Sequence, residues 1–381
     1  MSINYKNLIL ETIRETYPKY LQEKVIKKLE ENCIISSKKD LLTVSNVAVM
    51  NNNDSLQTIE SAIKLNEKKF IEIIEKLEFE FAYKYSVLFS TNKPLTPSLF
   101  ELLKSDSIIQ NSDSEYKNDF VANLTIPQNI KPTMLKSNDD LIILKFSDLI
   151  TGYLNIEKDH ERTIKYPILV LYYKDSGIIE VKLDTIKSFL KSGNDDFYID
   201  KIKLVIDWIS KCCNDVTLTP LNLNPVVDFI AKNKGEEVEL AAQAMNYRSG
   251  SKVTLDTGRN NTPVLPLLGD LKKIISENTD LFNANKSTVL ISDMLNEFIK
   301  ETEKSADLPW ISLRWPNSKK SKIIRVKFSF NEKGSTYDML QYYDTSNTEM
   351  ERMIDVTKYI IENRAQYERT KVTTCGKEEI I

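Results

Sequence analysis

The sequence predicts an α+β protein: an all-α, winged-helix-like N-terminal domain at residues 1–104, a linker at 105–132, and a larger α+β domain at 133–381 built on antiparallel hairpins and a meander. Three observations predict it. No glycine precedes Gly152, while apolar residues of the first hundred positions recur at helical spacing. Serine, asparagine, aspartate and proline then gather between 105 and 132, the composition of a connecting segment. Beyond it the pattern changes to short β-branched runs bounded by turn residues, the signature of strands. At 381 residues the chain exceeds what one hydrophobic core organises, so two or three domains are expected, with a sub-boundary near 256–266.

In the first domain, Leu8, Ile9, Ile13 and Tyr17 form one stripe before Pro18, and Leu21, Val25, Ile26 and Leu29 form another after it. Residues 55–66 and 67–77 have the pattern of a helix-turn-helix: Ile59, Ala62 and Ile63 face inward, Leu65 plugs the turn, and Phe70, Ile71, Ile74 and Leu77 continue the core side. Ser55 is placed as the cap of the first helix and Asn66 as that of the second. The aromatic stretch 79–89 either extends the second helix or supplies a strand.

In the second domain, runs at 141–146 and 168–173 are predicted strands, and the second forms a hairpin with 178–183 across Asp175-Ser176-Gly177, Gly177 taking the positive φ. Asp184 caps a helix through Ile186, Phe189 and Leu190; further helices follow at 199–213 and, behind Pro225, at 226–232. Residues 237–248 and 252–255 flank Ser249-Gly250-Ser251 as another hairpin, although 238–245 also suits a helix. Pro263 and Pro266 precede a helix at 268–275, and another spans 289–304. Strands at 310–315, 322–330 and 336–343 form a meander, and Thr348 opens a closing helix striped by Met350, Met353, Ile354, Thr357 and Ile360. No internal repeat is visible.

Composition removes much chemistry. One histidine, His160, cannot build a His-rich zinc site, and it lies in a charged run without a nucleophile elbow near it. The nine glycines are too dispersed for a phosphate cradle, which disfavours ATPase, kinase and dinucleotide-binding functions. Cys33, Cys212, Cys213 and Cys375 form no C-x-x-C pair, so neither a disulfide framework nor a zinc cluster is expected. With 52 basic against 55 acidic residues, only local patches are candidates for binding a polyanion. No leader pattern or long apolar window stands out, so a cytoplasmic protein without a membrane partner is expected, and the Lys, Asn and Ile enrichment suits AT-rich bacterial coding.

Two constellations remain. Asp175 with Glu180-Val-Lys182, followed by a helix, weakly resembles the PD-(D/E)xK nucleases, a resemblance that implies magnesium held by Asp175 and Glu180 with Lys182 near the attacking water. No proline precedes Asp175, which sits in a tight turn with only four residues between it and Glu180; Asp159 is a substitute. The competing interpretation makes Asp175 a turn former and Glu180 and Lys182 outward residues of a half-exposed strand.

The other constellation is basic. Arg314, Lys319, Lys320, Lys322, Arg325 and Lys327 occur with no intervening acid, beside Trp310 and Trp315. Alternation puts Ile324, Val326 and Phe328 on the core side and Arg325 and Lys327 outward. These cations suit phosphates, with Trp315 as a stacking platform for a base, unless they only protect an edge hairpin from aggregation. The helix-turn-helix is a poorer DNA reader, because Glu67, Lys68 and Lys69 at its second helix lead into Glu72, Glu75 and Glu78.

The function expected is therefore a non-enzymatic binding or adaptor protein that grips nucleic acid through the basic hairpin without a cofactor, as an accessory part of a bacterial mobile element or phage-defence system. A magnesium-dependent nuclease and a scaffold binding only protein are the alternatives.

Overall fold

A computed structural model of the chain describes residues 4–36, 48–49, 54–112, 130–135, 140–153, 161–213, 216–246, 252–256, 266–305, 307–316, 323–331, 336–343 and 349–378. The fold is α+β, and the chain divides into two compact units: Met1–Leu221 with Thr345–Asp355, and Asn222–Asp344 with Val356–Ile381.

The first unit begins with α1 (Tyr5–Thr16) and α2 (Lys19–Glu31), separated at Pro18, and a small parallel pair, β1 (Ile35–Ser36) and β2 (Ala48–Val49). The expected helix pair follows as α3 (Ser55–Leu65) and α4 (Glu67–Leu77). Asn66 caps α4, its side chain accepting from the Lys69 amide at 3.1 Å, but α3 is capped one residue before Ser55, by Asp54, which accepts from the Gln57 amide at 3.1 Å. Leu65 does not plug the turn; it is 43% exposed.

Next come β3 (Tyr85–Thr91), so that the aromatic stretch 79–89 is a strand from Tyr85 on and a turn before it, α5 (Pro97–Ser105), β4 (Gln110–Asn111), β5 (Thr133–Leu135), β6 (Leu141–Tyr153), β7 (Glu161–Tyr173) and β8 (Ile178–Leu183). Asp184 leads into a short 3-10 turn at Ser188–Lys191 in place of the helix expected there, and α6 (Phe197–Cys212) and β9 (Leu218–Pro220) close the unit. The strand order is β9-β3-β8-β7-β6-β5-β4, antiparallel except for the parallel β4–β5 pair.

Within this sheet β8 is an interior strand, hydrogen-bonded to β3 and β7, and all six of its residues are buried. The β7–β8 hairpin closes as predicted, with Gly177 at φ +64°. Helix α1 buries Leu8, Ile9 and Ile13, and its Thr12 hydroxyl accepts from the Lys165 amide at 2.8 Å; β8 pairs only with residues 169–173 of β7, so a side chain satisfies a donor beyond that ladder. Gly152 marks a close approach: a Cβ there would lie 2.5 Å from the Phe189 carbonyl oxygen and 2.7 Å from Leu190 Cα.

The second unit contains α7 (Asn224–Asn233), β10 (Glu239–Asn246), β11 (Lys252–Asp256), α8 (Pro266–Glu277), α9 (Thr279–Phe282), α10 (Lys286–Ser305), β12 (Asp307–Trp315), β13 (Ile324–Ser329) and β14 (Met339–Tyr343). The closing helix α11 (Met350–Glu378) contributes to it from Val356 onward. The sheet is antiparallel in the order β11-β10-β12-β13-β14, so 238–245 is strand and the expected meander is present. Ile311, Leu313, Ile324, Val326, Phe328, Leu340 and Tyr342 are buried on one face of this sheet. A separate small core joins Met245 and Ile299 with Leu255, Leu271, Ile275 and Leu308.

Candidate nucleic-acid interface

Alternation along β12 and β13 gives the second unit's sheet a face of opposite character. Arg314 stands opposite Arg325, Ser312 opposite Lys327 and Trp310 opposite Ser329; β14 continues the rows with Tyr343 and Gln341. On the other side, β10 places Glu239, Ala242 and Ala244 beside Arg314, Ser312 and Trp310, and β11 adds Asp256, Thr254 and Lys252. Among the described side chains this face carries the basic Lys252, Arg314, Arg325 and Lys327 against the acidic Glu239 and Asp256.

Both arginines are held but not buried. Arg314 is 30% exposed, its Nη1 3.3 Å from Glu239 Oε2; Arg325 is 31% exposed, its Nε donating to Ser312 Oγ at 2.9 Å and its Nη2 3.9 Å from Asp256 Oδ1. Half-exposed pairs of this kind contribute about 0–1 kcal/mol, so a phosphate can replace the carboxylate at little cost. Arg325 also lies over the Tyr343 ring at 5.5 Å, and Lys327 lies over the Trp310 ring at 4.7 Å.

Of the residues predicted to bind, Arg314, Arg325 and Lys327 share this face. Lys319, Lys320 and Lys322 lie outside the described residues, as do His160 and Asp159. Trp315 is not an open stacking platform: it pairs with Ile324 on the core side, is 8% exposed, and packs on Phe328 and edge-on to Tyr359, with centroids 6.3 and 6.1 Å away. Adjacent residues of a strand point to opposite faces, so Arg314 and Trp315 cannot serve one surface, and the aromatic on the basic face is Trp310. That parity was readable from the chain, given Ile324 as a core residue. The roles of Tyr343, Gln341 and Glu239 were not readable, because they depend on register between strands far apart in sequence.

The nuclease constellation takes a different form from either sequence-based expectation. Asp175 is exposed in the turn, whereas Glu180 and Lys182 are fully buried, because β8 is interior and not half-exposed. Glu180 Oε1 accepts from Lys182 Nζ at 2.6 Å and from Ser86 Oγ, and Oε2 accepts from Tyr173 OH at 2.7 Å. Burial holds Lys182 below the usual lysine range, against the attraction of Glu180. Among the described residues no three His, Cys, Asp or Glu side chains gather to hold a metal.

Glu75 and Glu78 do not form an acidic outer face of α4; they are buried with Lys145 of β6 and Lys165 of β7. Lys145 Nζ reaches Glu75 Oε2 at 2.5 Å, Glu78 Oε2 at 2.8 Å and the Glu75 carbonyl at 2.7 Å. Lys165 Nζ reaches Glu78 Oε2 at 2.8 Å and Glu75 Oε1, which also accepts from Tyr5 OH. Burial pushes the Glu75 carboxyl up, but the two lysines outweigh it and hold the group down at about 2. Phe70, Ile71, Ile73, Ile74 and Leu77 are buried as well, so α4 packs its core side into the first unit, while Glu67, Lys68, Lys69 and Lys76 are exposed.

Neither a protein-family model nor a curated protein matches the sequence. Among the described residues no helix is long and apolar enough to cross a membrane.

Proposed function

We propose that this protein binds nucleic acid without transforming it, through the β10–β14 face and the lysine-rich segment between β12 and β13. The observation that carries this reading is the convergence of Arg314, Arg325 and Lys327 on one sheet face with Trp310 and Tyr343. Cations on a rigid sheet neutralise phosphates and release counterions, while flat rings beside them stack on unpaired bases. Lys319, Lys320 and Lys322 extend the same charge in sequence. A role as an accessory part of a bacterial mobile-element or phage-defence system, acting inside the cell, is consistent with this reading.

Fluorescence anisotropy with labelled single-stranded and duplex oligonucleotides tests it. Binding should weaken as salt rises, and Arg325→Glu with Lys327→Glu should flatten the log K against log salt line by about 1 for each phosphate that is no longer neutralised. Trp310→Ala should weaken single-strand binding by roughly 1–3 kcal/mol with the fold intact, whereas Trp315→Ala should unfold the second unit. An absence of binding at low salt would end the proposal and leave a protein-only scaffold.

A further inference from the structure

The α8–α10 segment is poorly provided with core. Among its described side chains only Ile299 is buried. Ordering some forty residues carries a conformational cost that one buried side chain and its half-buried neighbours do not offset. On α10, meanwhile, Leu290, Ile291 and Met294 are 63%, 51% and 69% exposed, and Phe298 is 56% exposed. At helical pitch these four positions fall within a single stripe about 100° wide, on the side away from Ile299. Leu281, on the neighbouring helix α9, is 68% exposed as well.

We propose that this stripe is a homodimer interface in which α10 packs antiparallel against α10 of a second copy, with the two-fold axis at Met294. The area fits. The four residues of the stripe, at roughly 100 Å² of exposed apolar surface apiece, present about 400 Å². A standard interface buries about 800 Å² per partner, of which about 56–65% is apolar, so the patch supplies most of the apolar share of a stable dimer.

The charges fit a second copy in particular. Lys286 at the start of α10 and Glu301 near its end are both exposed and lie almost equally far from Met294 in sequence. Antiparallel pairing about Met294 therefore brings Lys286 of each copy to Glu301 of the other and Leu290 to Phe298. A two-fold interface requires such self-complementarity, which one helix satisfies here from its own sequence.

Sedimentation velocity on the full chain between about 1 and 100 µM should show twice the monomer mass, and Leu290→Asp with Met294→Asp should raise the dimer dissociation constant by roughly 100-fold or more, as expected for central apolar anchors. Both positions are exposed, so circular dichroism should be unchanged. With Cys33 and Cys375 replaced by serine, Met294→Cys should cross-link to itself under mild oxidation and Lys300→Cys should not. A monomer throughout, a dimer that survives the double substitution, or equal cross-linking at both positions overturns the proposal.

Discussion

Replacing Lys165 with methionine is the sharpest test of what holds the first unit together. The buried cluster balances Glu75 and Glu78 against Lys145 and Lys165. Taking away Lys165 removes its bonds to both carboxylates and leaves one negative charge uncompensated where water does not reach. Breaking a buried pair from one side costs about 3–5 kcal/mol. The variant has one way to limit that loss, which is for a glutamate to take up a proton. From an ordinary value of 4.5, protonation at pH 7 costs about 3 kcal/mol, falling to below about 1 kcal/mol at pH 5.

The signs of the two pH dependences are therefore opposite. In the wild type Glu75 is depressed to about 2, so its contribution is fully present above 4.5 and is lost as pH falls toward 2. In the variant the folded state binds a proton that the unfolded chain does not, so stability rises as pH falls from 7 to 5. Urea unfolding followed by tryptophan fluorescence measures both. Trp208, whose Nε1 donates to the Ile130 carbonyl at 3.1 Å and whose ring meets Phe146 edge-on, reports on this unit, and a Trp208→Phe control identifies its transition. A cost below about 1 kcal/mol at pH 7, or one that does not change by pH 5, would refute the view of Lys165 as an obligatory counter-charge.

Two further outcomes follow from the first unit. Gly152→Ala should destabilise it by about 1–3 kcal/mol, because the new methyl meets the backbone of Phe189 and Leu190, which cannot swing aside as a side chain would; differential scanning calorimetry reads the loss in Tm. Asp184 is raised to about 6 by burial, against hydrogen bonds from Thr185 and Lys84, so its contribution is fully present below 3.8 and is lost as pH rises through 6. Asp184→Asn keeps an acceptor for the Thr185 amide and should raise stability at pH 7.5 by about 1 kcal/mol, a gain that vanishes by pH 3.5 in urea titrations.

Local chemistry was largely legible in the sequence. Proline and asparagine between helices, Gly177 in the β7–β8 turn and alternating β-branched residues fixed the type of most elements, including the final meander. It also sorted Arg325 and Lys327 from Val326 and Phe328, because strand parity is a property of consecutive residues. The clearest failures concern charge. Glu75 and Glu78 read as a solvated helix face, since nothing within a few positions announces Lys145 and Lys165; Glu180 and Lys182 read as outward residues, since their pairing with each other does not tell that β8 is an interior strand.

Those partners arrive from remote segments: Lys145 and Lys165 lie 70 and 90 residues beyond Glu75, and Ser86 lies 94 residues before Glu180. The sequence by itself determined most turns, the type of most elements, though not of 79–89, 184–190 or 238–245, and which neighbouring side chains point apart. Only the tertiary structure decided which charges are inside and which strands flank one another, because burial of an ionic group depends on the strands and helices that fold over it: Glu75 and Glu78 receive their counter-charges from distant strands, and Glu180 and Lys182, neighbours in the chain, are enclosed only because β3 and β7 flank β8.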